Sequence, residues 1–136
     1  HVLVGPASVS LLKMKFPKRR QEVATEFGYP MYAEGLRRAI EFLAPLNVPI
    51  EITENGVADA EDTLRTEHLR RHLWVLSNAV KDGHDVRSYH HWSLMDNFEW
   101  AEGYSMRFGL HRVDFESQER TLRPSGEVYK AIVGRR

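Results

Sequence analysis

Three stretches of this chain space their apolar residues with a period near 3.6, and two others alternate with a period near two. Between Tyr32 and Ala44, Leu36, Ala39, Ile40 and Leu43 share one helical face, while Arg37, Arg38 and Glu41 lie opposite. That is the i, i+3, i+4, i+7 spacing of an amphipathic helix, ended here by Pro45 and Asn47. A second helix is expected from Leu64 to Lys81, capped by Asp62 or Thr63 and stopped by Gly83. Its apolar stripe reads Leu69, Leu73, Leu76 and Val80. Pro124 opens a short third helix expected to bury Val128, Ala131 and Ile132.

The alternating stretches read as strands. In Val48 to Glu54, period two places Val48, Ile50, Ile52 and Glu54 on one face and Glu51 and Thr53 on the other. Glu51 is unusual in a parallel strand, which helices normally cover on both faces. Val86 to Trp92 is rich in β-branched and aromatic residues, with Val86, Ser88, His90 and Trp92 on one face. A polar and aromatic loop from Ser93 to Ser105 follows, then an extended pair through Phe108-Gly109-Leu110 and Val113-Asp114-Phe115. Near the start, Val2-Leu3-Val4 reads as a strand end stopped by Gly5-Pro6.

The order helix, strand, helix, strand, helix argues for parallel βαβ units in an α/β fold. Two such strands cannot close a sheet, because each keeps an unpaired edge. A complete (β/α)8 barrel takes about 250 residues. The 136 residues therefore read as one partial domain, about the last two to three βα units of a TIM barrel, with no separate second domain. The start at His1 rather than Met fits a piece of a longer protein.

Composition narrows the function classes. With 42% hydrophobic and 28% charged residues the chain is neither disordered nor collagen-like. No run approaches the roughly 18 consecutive apolar residues of a membrane helix. Lys and Arg number 19, as do Asp and Glu, so nothing supports binding to nucleic acid. Lys13, Lys15, Lys18, Arg19 and Arg20 surround Phe16-Pro17, and in a charge-balanced chain they read as a solvated loop rather than an anion site. Cysteine is absent, which excludes disulfides and thiolate chemistry. No leader is visible, and a cytoplasmic location is expected.

Glu54 is the residue around which chemistry gathers. A carboxylate at the C-terminal end of a parallel strand is where a (β/α)8 barrel keeps its reactive groups. Alone, a Glu before Asn55-Gly56 is more often a strand end entering a turn. The histidines offer a competing reading as metal ligands. His68 and His72 are four apart on a helix, and His90-His91 are adjacent on a strand. No Glu stands in the zincin arrangement and no Cys can assist, so exposed helix residues and a histidine facing the barrel wall are the simpler account. Neither a metal nor a cofactor is expected.

Four separated blocks make the reading specific. Tyr32-Ala33-Glu34-Gly35-Leu36, Ile52-Thr53-Glu54-Asn55-Gly56, Trp92-Ser93-Leu94-Met95-Asp96-Asn97-Phe98-Glu99-Trp100 and Tyr104-Ser105-Met106-Arg107-Phe108-Gly109-Leu110 stand in this order. Over about residues 26 to 133, the chain resembles the C-terminal part of a glycoside hydrolase family 1 β-glycosidase. Its Ser105 to Leu110 block leans towards archaeal members. The resemblance implies a barrel that hydrolyses terminal β-glucosides or β-galactosides with retention, through two carboxyl groups. It implies that Glu54 is the nucleophile and Trp92 a platform for one sugar face. Glu99 and Trp100 would hold the hydroxyls of the terminal sugar, and Phe108 would form a floor or wall of the pocket. Glu102 is read as solvated.

The resemblance also has gaps. The family's acid/base Glu lies in an Asn-Glu-Pro motif, which this chain does not contain, and the tyrosine that usually bonds the nucleophile has no counterpart in residues 1–25. Tyr29 stands where many members have Trp. General acid catalysis contributes typically 10²–10⁴-fold, so the chain alone is expected to be inactive. Its expected partners are a β-glycoside or oligosaccharide substrate and the missing N-terminal part of the barrel. Members acting on 6-phosphorylated sugars carry a small hydroxyl residue in place of Glu99, so an unphosphorylated sugar is implied. Two other readings remain: a thioglucosidase, in which the acid is replaced, and a non-catalytic remnant that binds sugar or packs against a partner chain.

Overall fold

The computed structural model describes residues 23–134. The strand end expected at Val2-Leu3-Val4 and the basic run from Lys13 to Arg20 lie outside them. In chain order the elements are α1 (Glu34–Leu43), a 3-10 turn (Ala44–Leu46), β1 (Ile50–Asn55), α2 (Arg65–Lys81) and β2 (Val86–His91). A second 3-10 turn (Trp100–Glu102), the short strands β3 (His111–Val113) and β4 (Arg120–Leu122), and α3 (Pro124–Val133) follow.

β1 and β2 pair in parallel, and α1 and α2 pack against one side of the pair. Ile40 of α1, Ile50 of β1 and Ala79 of α2 are the buried centre, with Leu36, Leu43, Ile52, Leu76 and Val86 packed around them. The α1 face expected from periodicity is thus the buried one. Sealing a side chain the size of Ile40 from water is worth about 1.5–3 kcal/mol. Asn47, with φ of 53°, ends the first 3-10 turn in the left-handed region, where Asn is tolerated. Val48 is 54% exposed, and β1 begins only at Ile50.

Simple alternation fails in both strands because their register slips twice. Ile50 pairs with Val86 but Glu51 with Ser88, so β2 carries an extra residue at Arg87. Val86 packs on the helical core, and Tyr89 and His91 beyond the slip contact Tyr129 of α3. The predicted face of Val86, Ser88, His90 and Trp92 is therefore broken. The second slip lies in β1, where Ile52 pairs with Tyr89 and Asn55 with His91, three steps against two. An inserted residue re-aims the side chains beyond it. Ile52 packs on the helical side while Glu54 is exposed, so the two do not share the face that period two predicts.

α2 buries Leu69 of the expected stripe and packs Leu76 on the core, but polar residues fill much of its inner face. Arg65, His68, Leu69, His72, Val75 and Ala79 are buried, whereas Val80 is 48% exposed. Polar residues occupy the inner face because partners meet them there. Arg65 is paired with Asp62 and donates through Nη2 to the carbonyls of Asp59 (2.5 Å) and Arg107 (2.8 Å). The helix start is held by Asp59 rather than Asp62 or Thr63. One Asp59 oxygen accepts the amides of Leu64 (2.7 Å) and Arg65 (2.9 Å), satisfying two free donors of the first turn.

The C-terminal hairpin is also displaced. β3 pairs antiparallel with β4 through His111 and Leu122, Arg112 and Thr121, and Val113 and Arg120. Val113-Asp114-Phe115 is not the second strand, because Asp114 accepts the amides of Glu116 and Ser117 (both 2.9 Å) and turns the chain. In α3 the buried residues are Ser125 and Gly126, not Val128, Ala131 and Ile132. Its first turn is fixed by Asp62, which accepts from the Ser125 amide (2.8 Å) and hydroxyl (2.6 Å). Ile132 is 38% exposed. Among the described residues no helix is long and apolar enough to cross a membrane.

Candidate active site

The C-terminal ends of β1 and β2 bring the two main blocks together. The Trp92 amide donates to the Asn55 carbonyl (3.0 Å), so the residue after Glu54 is tied to the residue after β2. The approach is so close that a Cβ on Gly56 would lie 1.6 Å from the Trp92 carbonyl oxygen, and only glycine fits there. Glu54 is exposed at this end of the sheet.

Trp92 and Glu99 meet directly: the indole Nε1 donates to Glu99 Oε1 at 2.9 Å. That bond leaves the second carboxylate oxygen of Glu99 and the indole face available to a polar ligand. Glu99 opens a tight loop in which its amide donates to the Gly103 carbonyl (2.7 Å). Trp100 sits on that loop, 86% exposed, so its indole is uncovered on this surface. Phe108 lies behind the Trp92 segment, where its carbonyl accepts the Ser93 amide (3.2 Å). Its half-buried ring packs at 6.1 Å from that of Phe27. The structure thus joins Asn55, Trp92, Glu99 and the Phe108 backbone, and leaves Trp100 on an open loop.

One carboxylate beneath this loop was not singled out from the sequence. Asp96 is buried and grips Arg123 with both oxygens (3.0 and 3.1 Å). It also accepts the amides of Gly109 (2.9 Å) and Val113 (3.3 Å). A two-pronged Arg pair with every lone pair engaged is the geometry in which a buried charge is stable. Asp96 therefore fixes the Trp92–Glu99 segment to the strand that follows Phe108. Gly109 has to be glycine, since a Cβ would meet the Asp96 amide nitrogen at 2.2 Å. The sequence signal was available: Asp96 lies inside the Trp92 to Trp100 block, but its partner is 27 residues away.

The two helix histidines are not surface residues, whereas His90 on β2 is exposed. His68 and His72 are buried on α2 with their rings stacked at 3.8 Å, which corrects the expectation of exposed positions. His72 Nδ1 bonds the His68 carbonyl (2.8 Å), while among the described residues His68 Nδ1 and both His91 nitrogens have no hydrogen-bond partner. Burial pushes His68 down to about 2, helped by His72, His91 and Arg65. Burial beside Arg65 likewise pushes His91 down to about 4. These two are held neutral, and burial lowers His72 as well. Among the described residues no three His, Cys, Asp or Glu side chains gather as a metal site.

Comparison with known proteins places this arrangement. The model of glycosyl hydrolase family 1 matches residues 7–136. A β-galactosidase of Pyrococcus woesei is 40% identical over 110 residues, covering 80% of this chain and 22% of that protein. A solved hyperthermophilic β-glucosidase from Pyrococcus furiosus is 51% identical, with a TM-score of 0.80 over 82% of this chain and 24% of its own. The β-glucosidase of Thermotoga maritima in complex with glucoimidazole is 35% identical, with a TM-score of 0.81 over 85% of this chain and 29% of its own. The chain thus spans about a quarter of the length of these relatives. Its fold is the C-terminal part of their TIM barrel. On sequence and fold together, this chain belongs to glycosyl hydrolase family 1.

Proposed function

We propose that the chain carries the nucleophile and the terminal-sugar site of a retaining β-glycosidase. The observation that carries this is the bridge from Asn55 through Trp92 to Glu99, which sets Glu54 and the Trp92 to Trp100 loop at one sheet end. In this reading the Glu54 carboxylate attacks the anomeric carbon and the glycosidic C–O bond breaks. The leaving oxygen takes its proton from an acid supplied by the rest of the barrel. Water then attacks the glycosyl-enzyme, giving its proton to the conjugate base and releasing Glu54.

Trp92 offers its face to the sugar ring, Glu99 accepts from two neighbouring hydroxyls, and Trp100 donates one hydrogen bond from its indole. Phe108 backs the pocket. A carboxylate at position 99 repels a phosphate dianion, so the substrate is an unphosphorylated β-glucoside or β-galactoside. The P. woesei relative is named a β-galactosidase and the P. furiosus one a β-glucosidase, which fits a site open to either sugar. None of the relatives described above supports a non-catalytic remnant. Without the acid the chain hydrolyses no glycoside by itself.

The test is chemical rescue in the polypeptide that completes the barrel. Glu54→Gly should abolish hydrolysis, and azide should restore turnover as a glycosyl azide of inverted anomeric configuration. Glu54→Gly with hydrolysis intact would sink the proposal, as would an azide product of retained configuration.

A further inference from the structure

The feature that the reaction leaves unexplained is the slip at the end of β1. Ile52 packs on the helical side of the sheet. Successive strand residues point to opposite faces, so uninterrupted alternation would send Glu54 towards the helices as well. The extra residue between Ile52 and Asn55 reverses this. Asn55 then faces the helical side, and Glu54, its neighbour, faces away from it. The slip decides which face the carboxylate serves, since a one-residue change of register flips every side chain beyond it.

Something has to hold that slip, and one side chain reaches it. Tyr89 of β2 pairs with Ile52, ahead of the slip, and extends its hydroxyl to the far side. There Oη donates to Asn55 Oδ1 at 3.0 Å, and the Asn55 carbonyl lies at 3.5 Å. The ring is half-buried and stands 6.4 Å from that of Tyr129 on α3, so it is held from the helix layer. Burial raises the Tyr89 hydroxyl well above the usual phenol range, so it remains a neutral donor throughout any working pH. The Asn55 carbonyl is taken by the Trp92 amide (3.0 Å), which leaves the Asn55 side chain as the freely aimed end of the clamp.

Resting on the proposed role of Glu54, we infer that Tyr89 is a positioning residue for the glycosylation step. Through Asn55 it locks the slip that aims the nucleophile. The clamp touches neither Glu99 nor Trp100, so it governs the rate of attack and not the grip on the sugar. Misplacing a reacting group by about 1 Å costs up to 10²-fold, and losing one of several restraints should cost less.

The experiment uses the polypeptide that completes the barrel and a dinitrophenyl 2-deoxy-2-fluoro glycoside. Glu54 displaces dinitrophenolate from the anomeric carbon, and the adduct accumulates. The probe reports a maximal rate and a binding constant separately, and its leaving group needs no acid. Tyr89→Phe should lower the maximal rate about 10-fold, equal to about 1.4 kcal/mol of barrel-imposed alignment, and change the binding constant less than two-fold. Asn55→Ala should act alike, and the double variant should be no slower than either single one. Labelling of Tyr89→Phe at the unaltered rate overturns the clamp alone, as does an equal loss in rate and binding. If Tyr89→Phe does not fold, Asn55→Ala decides by the same two readouts. Absence of a Glu54 adduct in the unaltered protein overturns both the clamp and the proposed function.

Discussion

Acidification should unfold this protein through its buried histidines before its carboxylates titrate. His68 and His91 are held neutral, at about 2 and about 4, against an unfolded value near 6.5. Groups depressed in this way leave the native state with fewer protons than the unfolded one. Their stabilisation is present above the unfolded value and is lost as pH falls from 6.5 towards the native values. One pH unit in that window is worth about 1.4 kcal/mol per group. From pH 7 to pH 5 each histidine then gives up about 2 kcal/mol, and the pair about 4. That is a large share of the 5–15 kcal/mol typical of a domain. Among the described residues nothing nearby reverses the sign. His72 and Arg65 face His68, and the helix's Arg71 faces His72. Arg65 also faces His91, and Asp62 beside it is engaged by Arg65 and Ser125. The assay is urea unfolding followed by near-ultraviolet circular dichroism at pH 7 and pH 5. His68→Leu should cut the acid loss by about 2 kcal/mol. An unchanged acid loss in that variant, or none in the parent, refutes the argument.

Three other outcomes follow from the geometry. Asp96→Ala leaves Arg123 buried with the Gly109 carbonyl but without its carboxylate, and should cost about 3–5 kcal/mol in denaturant titration, with Asp96→Asn milder. Gly56→Ala meets the backbone of Trp92, which cannot step aside as a side chain would. It should cost more than about 3 kcal/mol and break the Trp92–Asn55 bond, visible as faster amide exchange at Trp92. Trp100→Ala removes an exposed ring and should change stability by less than about 0.5 kcal/mol. In the completed barrel it should weaken binding of a sugar inhibitor by about 10-fold or more, measured by calorimetry.

The helices were legible because their information is local. Leu36, Ala39, Ile40 and Leu43 carry their own period, and α1 and α2 begin and end within two residues of where spacing and breakers place them. The strands were legible as strands but not in their faces. Register belongs to a pair of strands, and neither Arg87 nor the step from Ile52 to Asn55 shows from one strand that an extra residue sits there. Polar residues on the inner face of α2 were misread for a related reason. Arg65 and His68 count as solvated until their surroundings are known, and one Arg65 partner lies 42 residues away at Arg107. In the site, the motif blocks named Glu54, Trp92 and Glu99, but spacing could not show that Trp92 and Glu99 share a hydrogen bond. The Asp96 grip on Arg123 and the Tyr89 bond to Asn55 escaped for the same reason. Both are contacts between segments far apart in the chain.

We propose Glu54 as the nucleophile of a two-carboxyl site of which this chain holds one half. The most direct measurement is peptide mass spectrometry of the completed barrel after treatment with a 2-deoxy-2-fluoro β-glycoside. A single fluoroglycosyl adduct is expected on the peptide that contains Glu54, with activity lost in proportion to labelling. An adduct on any other carboxylate, or an active enzyme that forms none, would contradict it.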